Sequence, residues 1–131
     1  MVKKVVVSFP KEFEIMTEYE GLTLMVGYPK SAGGEGLLPD PLHLFISSIA
    51  SCLGLNAVSF CKTRDIDYNN ISLEIRIEEE EETKLIEKLI IDIKLPENFP
   101  DKYKKAIINA VKECKIKKII EKQPQYVLKI L

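Results

Sequence analysis

The 131-residue chain has no tryptophan, one histidine and only two arginines, and glutamine is nearly absent. It carries no serine-hydrolase signature, so with His43 alone the thiols are the only strong nucleophiles available. An excess of one charge is also missing. The net charge of −1 gives no global field to gather nucleic acid. No run approaches the roughly 18 consecutive apolar residues that span a bilayer, so no membrane role is expected. Residues 1–10 have the lysines of a signal peptide, but the apolar stretch is too short and no small-residue cleavage site follows. They read as a first strand, and the chain reads as cytoplasmic. Three cysteines in such a chain argue against a disulfide framework and leave redox chemistry, metal binding or plain packing.

What is present fits one globular domain, residues 1–131, with 46% apolar residues. The abundance of Lys, Glu and Ile is of the kind found in proteins from hot environments. Residues 2–7 and 12–28 read as strands, with Glu20-Gly21 as a turn and period-two alternation through Leu22, Leu24 and Val26. Residues 29–40 form a glycine-rich loop. Asp40-Pro41 then starts a helix, aspartate suiting the N-cap and proline the first helical position. That helix extends to about residue 62 or 63. It is almost free of charge from Leu42 to Phe60, which predicts burial nearly all round.

Two alternating strands follow, at 69–78 and 85–95, joined through five consecutive glutamates that read as a solvated hairpin tip. The run lacks the spaced pattern and the glycine of a calcium loop. A helix over about 101–114, a short one over 115–122 and a final strand at 125–131 complete an α+β order.

Cys52 lies mid-helix, with Ser48 and Asn56 one turn to either side on the same face and Ser59 seven residues on. This polar stripe in an apolar helix suits a small wet pocket. The alternative is a buried cysteine acting as a small hydrophobe. No basic neighbour in sequence lowers its pKa. Cys61, nine residues on, points to the opposite face and reads as structural. His43 falls on the far face from Cys52. The Cys and His spacings lack the close pairing of zinc sites, so neither metal nor cofactor is expected. Cys114 ends the second helical pattern. If the fold brings Cys52 and Cys114 together, a two-cysteine redox enzyme results; if not, both are ordinary buried residues.

The stretch Leu22-Thr23-Leu24-Met25-Val26-Gly27-Tyr28-Pro29, then Gly33-Gly34, then Pro41-Leu42-His43-Leu44-Phe45 and Cys52, resembles the OsmC/Ohr family. These are the osmotically inducible protein C and organic hydroperoxide resistance proteins. The proline-to-cysteine spacing and the closing helix with Cys114 extend the likeness over nearly the whole chain. The resemblance implies an OsmC-like fold and an intertwined homodimer, with long central helices packed inside sheets made by both chains.

It further implies hydroperoxide reduction with Cys52 as peroxidatic thiol and Cys114 as resolving thiol, regenerated by an external dithiol reductant. His43, Ser48 and Asn56 are possible accessory residues. Two departures set the chain nearer the broad OsmC-like branch than the organic hydroperoxide reductases. Leu42 stands where those enzymes carry glutamate, and the only arginines, Arg64 and Arg76, follow the central helix. Lys3, Lys4, Lys11, Lys30 or a partner's histidine could supply the missing cation, oriented by Glu12, Glu14, Glu18 or Glu20. Without the Glu–Arg pair, a binding or sulfur/acyl carrier role for Cys52 on the same fold is the alternative, and a structural dimer with inert cysteines a third. Aromatic residues Phe45, Phe60, Phe99 and Tyr103, with Leu55, would give an apolar pocket favouring organic hydroperoxides.

Overall fold

The computed structural model describes all 131 residues. The chain forms two compact units, Met1–Ser47 and Ser48–Leu131.

In the first unit, β1 (Val6–Ser8), β2 (Glu14–Tyr19) and β3 (Leu22–Gly27) make an antiparallel sheet in that order. Tyr19 pairs with Leu22 across the two-residue turn. Glu20 at φ 50° and Gly21 at φ 79° supply the two left-handed residues that match strand twist in tight hairpins. The glycine-rich loop then folds over one short 3-10 turn, Lys30–Ala32. A Cβ on Gly34 would lie 1.8 Å from the Tyr28 carbonyl oxygen, so only glycine fits there. The loop closes back on β3 through the Gly27 N–H, which donates to the Pro39 carbonyl at 2.9 Å.

The long helix α1 (Pro41–Thr63) starts in the first unit and continues through the second. Asp40 accepts from the His43 N–H at 3.0 Å, while His43 Nδ1 lies 3.2 Å from the Asp40 N–H, a reciprocal cap. Within the second unit α1 buries Ile49, Leu53, Ala57, Phe60 and Cys61, spaced by about one turn. A hairpin of β4 (Ser72–Glu79) and β5 (Ile86–Lys94) lays Leu73, Ile75, Leu89 and Ile93 against this stripe. Helix α2 (Lys104–Lys112) adds Ile107 and Val111. Full burial of each such aliphatic side chain stabilises by about 1.5–3 kcal/mol.

Four expectations are corrected. First, α1 is not buried all round within one chain: Leu42, Phe45 and Leu55 are exposed. Second, α1 meets the length and composition of a membrane span, with mean hydropathy 1.8 over 18 residues, of which 28% are buried. Counting unbroken apolar runs missed this, because Ser, Cys, Gly and Asn interrupt the run without adding charge. Third, the helix expected over 101–114 is a 3-10 turn, Asp101–Tyr103, followed by α2, which stops at Lys112. Fourth, residues 125–131 form no strand. Tyr126, Val127, Leu128, Ile130 and Leu131 are exposed. A strand needs an edge to pair with, and the described sheets of this chain hold only β1–β3 and β4–β5.

Candidate functional site

The α2–α3 junction builds the site. Glu113, at φ −75° and ψ 61°, has the geometry of an inverse γ-turn, and the Cys114 N–H turns back to the Lys112 carbonyl at 2.8 Å. The chain then re-enters a helix, α3 (Lys115–Lys122), with Cys114 as its N-cap. The Cys114 Sγ accepts from the Lys117 N–H at 3.4 Å. Cysteine thus takes the capping place usually held by Ser, Thr, Asp or Asn.

Cys52, on α1, meets this helix end. It packs against the buried cluster that includes Cys114, close to the backbone of Lys115 and Ile116. Cys114 first, then the backbone N–H groups of Ile116 and Lys115, hold the Cys52 thiol below the usual cysteine range. The first turn of α3 contains no carboxylate, which leaves its positive end favourable to a thiolate. Burial pushes the Cys114 thiol up, and the neighbouring Cys52 pushes it further. The Lys117 and Ile116 N–H groups act in the opposite sense. The two neighbouring thiols are therefore pushed in opposite directions, Cys52 down and Cys114 up. Cys52 is partly accessible, whereas Cys114 is buried.

Asn56, one turn after Cys52, reaches the same junction. Its Nδ2 donates to the Glu113 carbonyl at 2.7 Å and lies 3.5 Å from that of Val111. Outside the junction, Lys118 pairs with Glu113 at 2.7 Å and holds its carboxyl below the usual range.

The other singled-out residues fall elsewhere. Ser48 is half-buried one turn before Cys52. His43 is a capping residue with an exposed ring, 3.1 Å from the Asp40 carboxylate. Lys3 pairs with Glu20, and Lys11 lies 3.9 Å from Glu14. Cys61 is fully buried, and burial pushes its thiol up. The aromatic pocket wall is corrected in part. Phe60 and Phe99 are core residues, and Phe60 packs edge-on to Tyr103 at 5.9 Å beneath the Arg64 guanidinium. A cavity of about 350 Å³ lies in the first unit beside Phe13, Tyr28 and Leu37, and none of the three cysteines lines it.

Side-chain reading of the sequence missed the backbone donors of Lys115 and Ile116. The helix expected over 115–122 is present as α3, but Cys114 is its cap and not the end of the helix before, which stops at Lys112.

No curated protein matches the chain. Several solved structures share its fold. A Psychrobacter arcticus protein, described provisionally as an osmotic stress induced and detoxification response protein, has a TM-score of 0.72 at 17% identity, covering 91% of this chain and 88% of that one. The OsmC-like protein of Mycoplasma pneumoniae has a TM-score of 0.67 at 12% identity, with 92% and 88% covered. The organic hydroperoxide resistance protein OhrB of Bacillus subtilis has a TM-score of 0.52 at 17% identity, with 94% and 93% covered. The α+β architecture is accordingly the OsmC-like fold. The family model for OsmC-like proteins matches residues 33–129, a span that includes Cys52, Asn56 and Cys114, and the chain belongs to that family.

Proposed function

We propose that this chain is a thiol peroxidase that reduces organic hydroperoxides through Cys52 and Cys114. The observation that carries the reading is the packing of Cys52 against the cluster that holds Cys114, the N-cap of α3, close enough for each thiol to shift the acidity of the other. In the proposed cycle the Cys52 thiolate attacks the terminal oxygen of the hydroperoxide. The O–O bond breaks, the alkoxide takes a proton from solvent and leaves as the alcohol, and Cys52 becomes a sulfenic acid. The Cys114 sulfur then attacks the Cys52 sulfur. The S–O bond breaks, hydroxide leaves with the Cys114 proton as water, and a disulfide forms. An external dithiol reduces it by two exchange steps and is itself oxidised.

Backbone donors of Lys115 and Ile116 take over the stabilisation that the Glu–Arg pair gives in the hydroperoxide reductases, whose glutamate position is Leu42 here. The name of the Bacillus subtilis neighbour supports the organic substrate class. We further infer that the chain acts as one domain in a cytoplasmic homodimer. The exposed apolar residues of α1 and of residues 126–131 support this, as a second copy would cover them.

The missing Glu–Arg pair favours one second reading, a sulfur or acyl carrier that uses Cys52 without turnover. Mass spectrometry after one equivalent of cumene hydroperoxide, with hydrogen peroxide alongside, separates the two. Rapid loss of two hydrogens mapped to Cys52 and Cys114 supports the peroxidase. Thiols intact after minutes would discard it in favour of the carrier.

A further inference from the structure

We infer that Asn56 is the positioning residue for the resolving thiol: it ties the backbone that carries Cys114 to the helix that carries Cys52, and so sets the rate at which the second sulfur reaches the first. This rests on the two-thiol reading above and assigns a step within it.

The backbone hydrogen bonds of the junction around Cys114 are all local, Glu113 N–H to Ala110, Cys114 N–H to Lys112 and Lys118 N–H to Cys114, and none of them reaches α1. Helix α2 ends at Lys112 with its last carbonyls beyond reach of further helical N–H groups. Glu113 leaves the helical region altogether, and its φ and ψ are set by neither glycine nor proline. The Glu113 carbonyl, just past the helix end, receives the Asn56 amide at 2.7 Å, and the Val111 carbonyl lies at the edge of the same amide's reach. Glu113 is the residue immediately before Cys114. Asn56 lies four residues after Cys52, on the same face of α1. The amide therefore links the two cysteines through one rigid helical turn on one side and one peptide unit on the other.

The side chain must be a donor long enough to reach, since both targets are acceptors. Disulfide formation within a protein is governed by such placement, and a displacement of about 1 Å can slow an intramolecular attack by about 10²-fold. The Lys117 N–H on the Cys114 sulfur fixes the side chain, but it cannot fix where the turn itself sits against α1.

The test reads the second sulfur without peroxide, using 5,5′-dithiobis(2-nitrobenzoate) on the reduced full chain. The Cys52 thiolate attacks the reagent's disulfide and expels one nitrothiobenzoate. Cys114, losing its proton to solvent, then attacks the Cys52 sulfur and expels the second, leaving the Cys52–Cys114 bond. Asn56→Leu keeps the branched shape and removes the donor. The second release is expected to slow about 10- to 100-fold, the first to change by less than about threefold, and Asn56→Gln to recover part of the second rate. Asn56→Ser, too short to reach Glu113, is expected to behave as Asn56→Leu does, and it decides the question if the leucine variant fails to fold.

An unchanged second release in the folded variants, or an equal fall in both releases, overturns the inference. So does a wild-type protein that releases a single equivalent. A wild type that completes both releases but ignores hydroperoxide ends the peroxidase reading and leaves the role of Asn56 standing.

Discussion

Replacing Cys114 by alanine removes the donor that contributes most to the acidity of Cys52 and leaves the two backbone N–H groups in place. A hydrogen bond to a charged group contributes about 1.5–3 kcal/mol. The S–H group is a weak donor, and Cys52 is partly open to water, so the lower bound applies. About 1.4 kcal/mol is a tenfold change in an equilibrium. The thiolate fraction of Cys52 at pH 7 should fall in Cys114→Ala, by at most about tenfold, and with it the initial rate of alkylation by iodoacetamide, followed by mass spectrometry of the Cys52 peptide.

The sign of the pH dependence is fixed by the direction of the shift. A lowered value keeps the wild-type thiolate populated below the usual cysteine range, and reactivity is lost only as pH falls through that lowered value. In Cys114→Ala the loss begins at higher pH, and the two profiles meet in alkali, where the thiol is ionised in both. Cys114→Ser keeps an O–H donor and should retain most of the wild-type rate at pH 7. Equal rates at pH 7 for wild type and Cys114→Ala would refute the reasoning, because the acidity of Cys52 would then not come from its contact with Cys114.

Ile107→Ala should cost about 2–5 kcal/mol, since Ile107 is fully buried where α2 meets the core; a lower urea midpoint at unchanged slope would show it. Cys61→Ser buries a hydroxyl in a fully enclosed apolar position and should cost about 1–3 kcal/mol. A lower Tm with the same two-thiol stoichiometry towards the aromatic disulfide is the expected pair of readings. Gly34→Ala drives a Cβ onto the Tyr28 carbonyl and must open the turn held by the N–H groups of Ala32, Gly33 and Gly34. Amide exchange of those three residues should accelerate about tenfold or more, at about 1 kcal/mol for each backbone bond lost.

The elements legible in the sequence are those whose signals are carried by side chains. Asp40-Pro41 marks the start of α1 because capping oxygen and fixed φ act locally. The alternation through Leu73, Ile75, Leu89 and Ile93 marks the hairpin because one face is buried and the other wet. Residues 125–131 carry the same alternation, but alternation reports only that a strand would have two unlike faces; it does not supply the neighbour. The break at Glu113 gave no warning, since an inverse γ-turn needs no special residue. The charge-free run of α1 predicts full burial, yet Leu42, Phe45 and Leu55 stay exposed within one chain, because a lack of charge does not supply the surface that covers them. Asn56 was legible as an oddity, an amide one turn from a cysteine in an apolar helix, but its partners are carbonyls far along the chain. The pairing of Cys52 with Cys114 came from family likeness. No local pattern could have given it.

In the proposed cycle, backbone donors stand in for the activating arginine that the resemblance implies. A guanidinium brings full charge and acts across some distance. An N–H group brings a partial charge and acts only in contact. The end of α3 compensates by supplying several donors at once, and it supplies them to both sulfurs: Lys115 and Ile116 to Cys52, Lys117 to Cys114. In the proposed cycle these serve successive needs. While Cys52 is the anion, the first two donors hold it and Cys114 stays protonated, held so by burial. Once Cys52 is a sulfenic acid the anion is gone. The Coulombic penalty on Cys114 goes with it, and the Lys117 N–H is already in place for the charge that develops as Cys114 attacks. Each half-reaction removes the obstacle to the next, without any side chain changing partners. Such a device works only while the helix end stays seated on α1, so activity should depend less on any single charged residue than on the turn that carries Cys114.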